Sequence, residues 1–309
     1  MAHITDRFYN SKWGVFTHYL PYIQNNPDHP ANQGKGKTTW DECANDLNVN
    51  KMAEQLHEMG AKYLFFTLMQ GNGFLAAPNA AYDRIAQSET ERPCARDIPA
   101  ELIEALGKYD IDLYLYYTGD GPHSTREISD RFGPMKHSEY VTKPFVENWV
   151  KVLEEYALRY GHGVKGWWID GCYKRTGYDD TLVQLYADAV KKGNPDAIIS
   201  FNNGTPTALE KCFACEDYVA GEREDFDMIP TQRFVDGAQS YILAPLGVLE
   251  GGYPYEMWGR PGLKHEGWWM RDYVKLVNTN GGVVSIDIIL RRDGSFDPEQ
   301  MAALRQISK

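Results

Sequence analysis

The 309-residue chain is expected to fold as a single-domain α/β barrel of the (β/α)8 TIM type, and three features predict it. Strand-like and helix-like segments alternate from one end to the other, the pattern of a parallel sheet wrapped by helices. An apolar run through Trp167, Trp168 and Ile169 ends abruptly in Asp170-Gly171, as a buried parallel strand does at the carboxyl edge of its sheet. Long loops rich in Gly, Pro, Asn and aromatics, at 19–49, 69–97, 119–137 and 245–265, follow strands, where a barrel gathers the walls of a pocket.

The elements follow in order. Eight strands are expected, at 13–18, 62–68, 112–118, 164–169, 197–201, 218–221, 239–244 and 283–288. Met52, Leu56 and Met59 recur at helical spacing, and Ile98, Leu102, Ile103 and Leu106 make a second apolar stripe, with Pro99 tolerated in its first turn. Further helical patterns cover 144–160, 179–192, 266–278 and 297–307. The last opens on Asp297-Pro298, a capping carboxylate before a proline at the first helical position. A doubly wound open sheet is the alternative, but no G-x-G-x-x-G follows the first strand, and Gly71-Asn72-Gly73 is too short a match. Residues 1–309 contain no internal repeat or linker that marks a second domain.

Composition excludes several function classes. With 32 Lys+Arg against 43 Asp+Glu, the net charge of −11 leaves no basic face for nucleic acid. No segment reaches the roughly 18 continuous apolar residues of a membrane helix, and the N-terminus carries no basic-then-apolar leader pattern, so a soluble protein is expected, with its compartment and oligomeric state left open. Five cysteines are too few and too odd for a disulfide scaffold. Cys212 and Cys215 have C-x-x-C spacing without a second pair or a histidine partner, so neither metal nor cofactor is expected. There is no G-x-S-x-G elbow, no Walker loop and no H-E-x-x-H.

What remains is carboxylate chemistry. Asp170 sits at the edge where such folds keep their reactive groups, beside two tryptophans that suit the apolar face of a sugar ring. Acid/base chemistry on a sugar takes a second carboxyl group within reach of the first, one ionised and one protonated. Glu222, beyond the sixth expected strand in the acidic run Glu222-Arg223-Glu224-Asp225, is the candidate proton donor that barrel closure could bring across from Asp170, with Glu224 and Glu216 as alternatives. Trp40, Tyr117, Trp168 and Trp258 are candidate stacking faces.

Several blocks, in order, resemble the catalytic domain of glycoside hydrolase family 29, the α-L-fucosidases. They are Lys12 to His18, Met59 to Thr67, Arg96-Asp97 with Tyr114 to Tyr117, Trp168-Ile169-Asp170-Gly171, Asp217 to Glu222, and Gly281 to Asp287 with Asp293-Gly294-Ser295. The resemblance implies a catalytic barrel without the C-terminal β-sandwich that fucosidases usually append. It implies Asp170 as nucleophile, Glu222 as acid/base, His18 as a ligand of sugar hydroxyls, and exo cleavage of a terminal α-linked sugar from an oligosaccharide or glycoside. The chain also departs from the family pattern. Where the family carries a His-His-Asp-Gly-Phe block gripping the fucose hydroxyls, this sequence reads Met69-Gln70-Gly71-Asn72-Gly73-Phe74. His18 is followed by Tyr19 rather than Trp, and the family's Arg after the fifth strand is replaced within Phe201 to Thr205. Gln70 and Asn72 occupy the slot of the missing histidines, and their amides can both donate and accept. Each lost polar contact would leave a buried partner unpaired at roughly 1–3 kcal/mol, so altered sugar selectivity is expected. A non-catalytic carbohydrate-binding barrel derived from a fucosidase is the second reading.

Overall fold

The computed structural model describes residues 2–133, 140–248 and 257–308. Residues 134–137 and 249–256 of two of the long loops therefore lie outside the described residues. Strands β1 (Trp13–Thr17), β2 (Tyr63–Thr67), β3 (Asp112–Thr118), β4 (Val164–Asp170) and β5 (Ile198–Phe201) are followed by a two-residue antiparallel pair, β6 (Phe234–Val235) and β7 (Ala238–Gln239). β8 (Tyr241–Pro245) and β9 (Val283–Asp287) complete the set. The main sheet runs β5-β4-β3-β2-β1-β9-β8, and every pairing in it is parallel. It is an α/β barrel, as expected, with one stave that differs.

That stave is the sixth. Residues 218–221, expected as a strand, form no continuous ladder; the segment meets β7 and β8 through isolated bridges, Tyr218 to Gln239 and the adjoining Glu222 to Leu243. The segment still spans the gap, since Asp217 N donates to Ile199 O at 2.9 Å on one side and Leu243 N donates to Gly221 O at 2.9 Å on the other. The ladder is interrupted because Gly221 has φ +60°, a left-handed turn that an extended strand cannot hold.

Helices α1 (Asp6–Ser11), α2 (Trp40–Asp46), α3 (Val49–Met59), α4 (Ala80–Ala86), α5 (Ile98–Gly107), α6 (Arg126–Phe132), α7 (Lys143–Tyr160), α8 (Asp180–Gly193), α9 (Gly267–Thr279) and α10 (Pro298–Leu304) surround the sheet. Five of the expected helices carry long apolar stripes, and the seven-residue α10 was marked by its Asp297-Pro298 start, whereas α1, α2, α4 and α6, of six or seven residues each, add short turns before β1 and within loops. α10 begins as expected, with Asp297 Oδ1 accepting from Glu299 N at 3.0 Å and Gln300 N at 3.3 Å. No helix among the described residues is long and apolar enough to cross a membrane.

Two cores result from the alternation of side chains along each strand. The outward set, with Tyr117 and Trp167, packs under the helices against side chains such as Trp149 of α7. The inward set fills the barrel with Phe16, Tyr63, Phe65, Tyr114, Tyr116, Trp168 and Tyr241. Phe8, from α1, plugs the floor, its ring 5.1–5.5 Å from those of Tyr63, Tyr114, Tyr218 and Tyr241. Arg7 fixes that plug through two 2.6 Å hydrogen bonds to Asp112 at the start of β3. With the floor closed, the open end is the carboxyl mouth.

Candidate active site

β3 and β4 pair with Tyr116 opposite Trp168 and Thr118 opposite Asp170, so these four side chains share the inward face at the mouth. Asp170 ends β4, and its turn and its site are one structure. Gly171 has φ +74°, and a Cβ there would lie 2.8 Å from the Asp120 carboxyl, so only glycine lets the chain turn while keeping Asp170 over the mouth. Three donors converge on the Asp170 carboxylate: Tyr116 Oη at 2.6 Å, Asn202 Nδ2 at 2.8 Å and Gly171 N at 2.8 Å.

Glu222 reaches the same place from the interrupted stave. At Gly221 a Cβ would meet Tyr241 O at 2.0 Å, so the backbone runs hard against β8 before delivering Glu222 to the mouth. Asn202, one residue beyond β5, donates from its single amide nitrogen both to Asp170 Oδ1 and to Glu222 Oε2. Two hydrogen bonds meeting at one nitrogen hold their acceptor oxygens within about 5 Å of each other.

Electrostatics separates the pair. Burial, and then the negative charge of Asp170, push Glu222 up to about 8, against the opposing donor from Asn202. Asp170 is also raised, by burial and then by the negative charge of Asp120, but its three hydrogen bonds oppose the shift, that from Tyr116 most strongly. Two carboxylates this close resist joint ionisation, so the one with three donors holds the charge and Glu222 holds the proton.

A cavity of about 340 Å³ opens over the pair, at the small end of the roughly 300–1,000 Å³ usual for ligand pockets. Its apolar wall is Phe16, Trp168 and Trp258. Trp168 is fixed by Nε1 donating to Ala220 O at 3.0 Å and stacks on Tyr116 with centroids 5.5 Å apart. His18 is buried, its Nδ1 2.8 Å from Asp287 Oδ2, which leaves Nε2 for the cavity it lines. The other oxygen of Asp287 accepts from Gly259 N at 2.7 Å, so one carboxylate at the tip of β9 seats both His18 and the loop bearing Trp258. Gln70 lines the opposite wall and accepts from Tyr22 Oη at 2.6 Å. His29 and Arg260 complete the rim; burial and the guanidinium push His29 down to about 4, so its ring is neutral at neutral pH.

Of the residues expected from sequence, Asp170, Glu222, His18, Gln70, Trp168 and Trp258 therefore meet in one cavity. Three expected ligand contacts lie elsewhere. Tyr117 faces the helices, stacked on Trp149 at 5.0 Å, because the inward phase of β3 falls on Tyr116. Trp40 is buried at the start of α2 with Nε1 donating to Leu75 O at 2.8 Å, beneath a neighbouring groove. Asn72 uses its side-chain oxygen to cap Phe74 N at 3.0 Å, a local turn. Among the alternatives to Glu222, Glu216 is buried with its carboxylate on the backbone N–H groups of Phe201, Cys212 and Phe213, and Glu224 is exposed; neither lines the cavity. Tyr116, Asn202, Tyr22 and Asp287 join the site without having been among the expected residues. Only Asn202 had a usable sign, a polar residue immediately after an apolar strand.

The model of the α-L-fucosidase family matches residues 2–309. Among curated proteins no match is found. Among solved structures, an α-L-fucosidase of glycoside hydrolase family 29 from Bacteroides thetaiotaomicron superposes with a TM-score of 0.66 at 18% identity, over 99% of this chain and 73% of that one. An endo-fucoidan hydrolase of glycoside hydrolase family 107 superposes with a TM-score of 0.70 at 15% identity, over 97% of this chain and 92% of its own. At such identities the superpositions establish the shared barrel, and the family model, spanning nearly every residue, establishes kinship. The chain belongs to the α-L-fucosidase family and is a glycoside hydrolase.

Proposed function

We propose that the protein hydrolyses an α-linked sugar of the fucose class with retention of configuration, accepting that sugar at a chain terminus. The observation that carries this reading is the Asn202 amide shared by Asp170 and Glu222. It supports a carboxyl spacing near the roughly 5–5.5 Å of double displacement rather than the roughly 6.5–9.5 Å that leaves room for an inverting water. In the first step Asp170 attacks the anomeric carbon while Glu222 gives its proton to the departing glycosidic oxygen, leaving a glycosyl ester on Asp170. In the second, ionised Glu222 takes a proton from water, whose oxygen attacks the same carbon and expels the Asp170 carboxylate. A covalent intermediate has been trapped on the Bacteroides thetaiotaomicron enzyme with 2-fluoro-fucosyl fluoride, which supports the same course here.

His18 Nε2, oriented through Asp287, would bind a ring hydroxyl, and Phe16, Trp168 and Trp258 would face the apolar side of the ring. The cavity suits one ring, closed on the β2 side by the Tyr22–Gln70 contact. Because Gln70 stands where the family grips hydroxyls with histidine, and its oxygen is already engaged, selectivity for fucose over its relatives should be relaxed.

Turnover of a panel of aryl α-glycosides that collapses in Asp170→Ala, with azide restoring release of the phenol while the sugar is recovered as the glycosyl azide, would establish the mechanism. Saccharide binding that survives Asp170→Ala unchanged, with no product from any substrate, would make the protein a non-catalytic carbohydrate-binding barrel instead.

A further inference from the structure

A groove of about 600 Å³ lies beside the catalytic cavity, built from the loops that follow β1 and β2. Tyr22 lines both, and it is the partition between them: 47% exposed, with its hydroxyl on Gln70. Around the barrel, counting the interrupted stave as the sixth of eight, Glu222 stands at the sixth position and Gln70, just past β2, at the second. These positions are diametrically opposed. A proton donor must lie on the leaving-group side of the sugar it serves, so a sugar over Asp170 with its aglycone toward Glu222 presents its far side to Tyr22 and the groove.

The lining suits a neutral saccharide. Phe74 meets the edge of the buried Trp40 at centroids 6.3 Å apart, and the hydroxyl of the exposed Thr90 stands in the same groove, an apolar surface beside a hydrogen-bonding group; the Thr39 hydroxyl is held by Glu42 in the cap of α2. Lys37 and Arg92 against Asp41, Glu89 and Glu91 leave no surplus of positive charge for a polyanion.

We infer that this groove binds a second sugar, attached to the first on the side remote from the scissile bond, so that the enzyme acts on capped or internal units in addition to terminal ones. The inference rests on the proposed seating of a sugar over Asp170 with its leaving group toward Glu222. Swinging Tyr22 out of its Gln70 contact joins the two spaces, and an exposed tyrosine held at its tip can make that motion quickly.

The test compares p-nitrophenyl α-L-fucoside with the corresponding p-nitrophenyl α-fucobioside in the wild type and in Thr90→Trp, which fills the groove from an exposed position. The inference expects nitrophenol and intact disaccharide from the bioside without a lag. It also expects Thr90→Trp to lower kcat/KM for the bioside by about tenfold or more while the monoside changes less than about twofold. Release of free fucose first, with nitrophenol only after a lag, overturns it, as does an equal effect of the variant on both substrates. If neither substrate turns over, the hydrolytic reading has failed, and the groove is judged by titrating the bioside into both proteins. A roughly tenfold weaker affinity in Thr90→Trp upholds the groove as a saccharide site, and equal affinities overturn it.

Discussion

Replacing Asn202 by Ala removes the one amide nitrogen that serves both carboxylates. Hydrogen bonds to charged groups contribute about 1.5–3 kcal/mol each, and one pKa unit corresponds to about 1.4 kcal/mol. The lost donor opposed the rise of Glu222, which stands at about 8. Without it the basic limb of kcat/KM moves up by roughly one to two units. The Asp170 carboxylate loses a donor as well and competes better for the shared proton, so the maximal rate falls by roughly 10- to 100-fold. Because Asn202 Oδ1 also accepts from Gly204 N at 3.0 Å, a thermal melt must accompany the profile to show that the loop survives. The assay is kcat/KM on an aryl glycoside from pH 4 to 10, read as the apparent values of the coupled pair. A basic limb that stays in place or moves down, in a folded variant, would refute the assignment of Glu222 as the proton-bearing partner.

Three further outcomes are expected. Glu222 is raised to about 8 from an ordinary 4.5, so its protonated form stabilises the fold below about pH 4.5 and that contribution is lost as pH rises to 8. Glu222→Gln should therefore match the wild type in urea melts at pH 4.5 and exceed it by about 2–4 kcal/mol at pH 9; equal stabilities at both would contradict the shift. Asp287→Asn keeps the shape but exchanges an acceptor for a donor opposite His18 or Gly259, so KM should rise about tenfold through lost orientation of His18, with little change in Tm; an unchanged KM would remove His18 from the sugar's ligands. Gly221→Ala places a Cβ 2.0 Å from Tyr241 O at φ +60°, and should cost about 1–3 kcal/mol and displace Glu222; full activity in that variant would mean the stave relaxes without moving its carboxylate.

Much of the barrel was legible because its strands are short apolar runs ended by turn residues, and Asp170 was legible because it breaks such a run. Tyr116 and Tyr117 show the limit. Every residue of β3 is buried, so hydrophobicity carries no phase, and only pairing with Trp168 decides which tyrosine faces the mouth. Trp40 stands outside the catalytic cavity because it opens α2, a short helix whose capping box, Thr39 with Glu42, sits inside a long loop. Asn202 and Asp287 act through partners 32 and 269 residues away, distances over which sequence carries no geometric information.

The stave bearing Glu222 is joined to the barrel by isolated bridges, whereas Asp170 rides on a strand laddered on both sides. Local opening favours the element with the fewest cooperative bonds. Gentle heating should therefore strip the acid from its place while the rest of the barrel stays standing, and the enzyme should fall silent at temperatures where its circular dichroism is still that of the native protein.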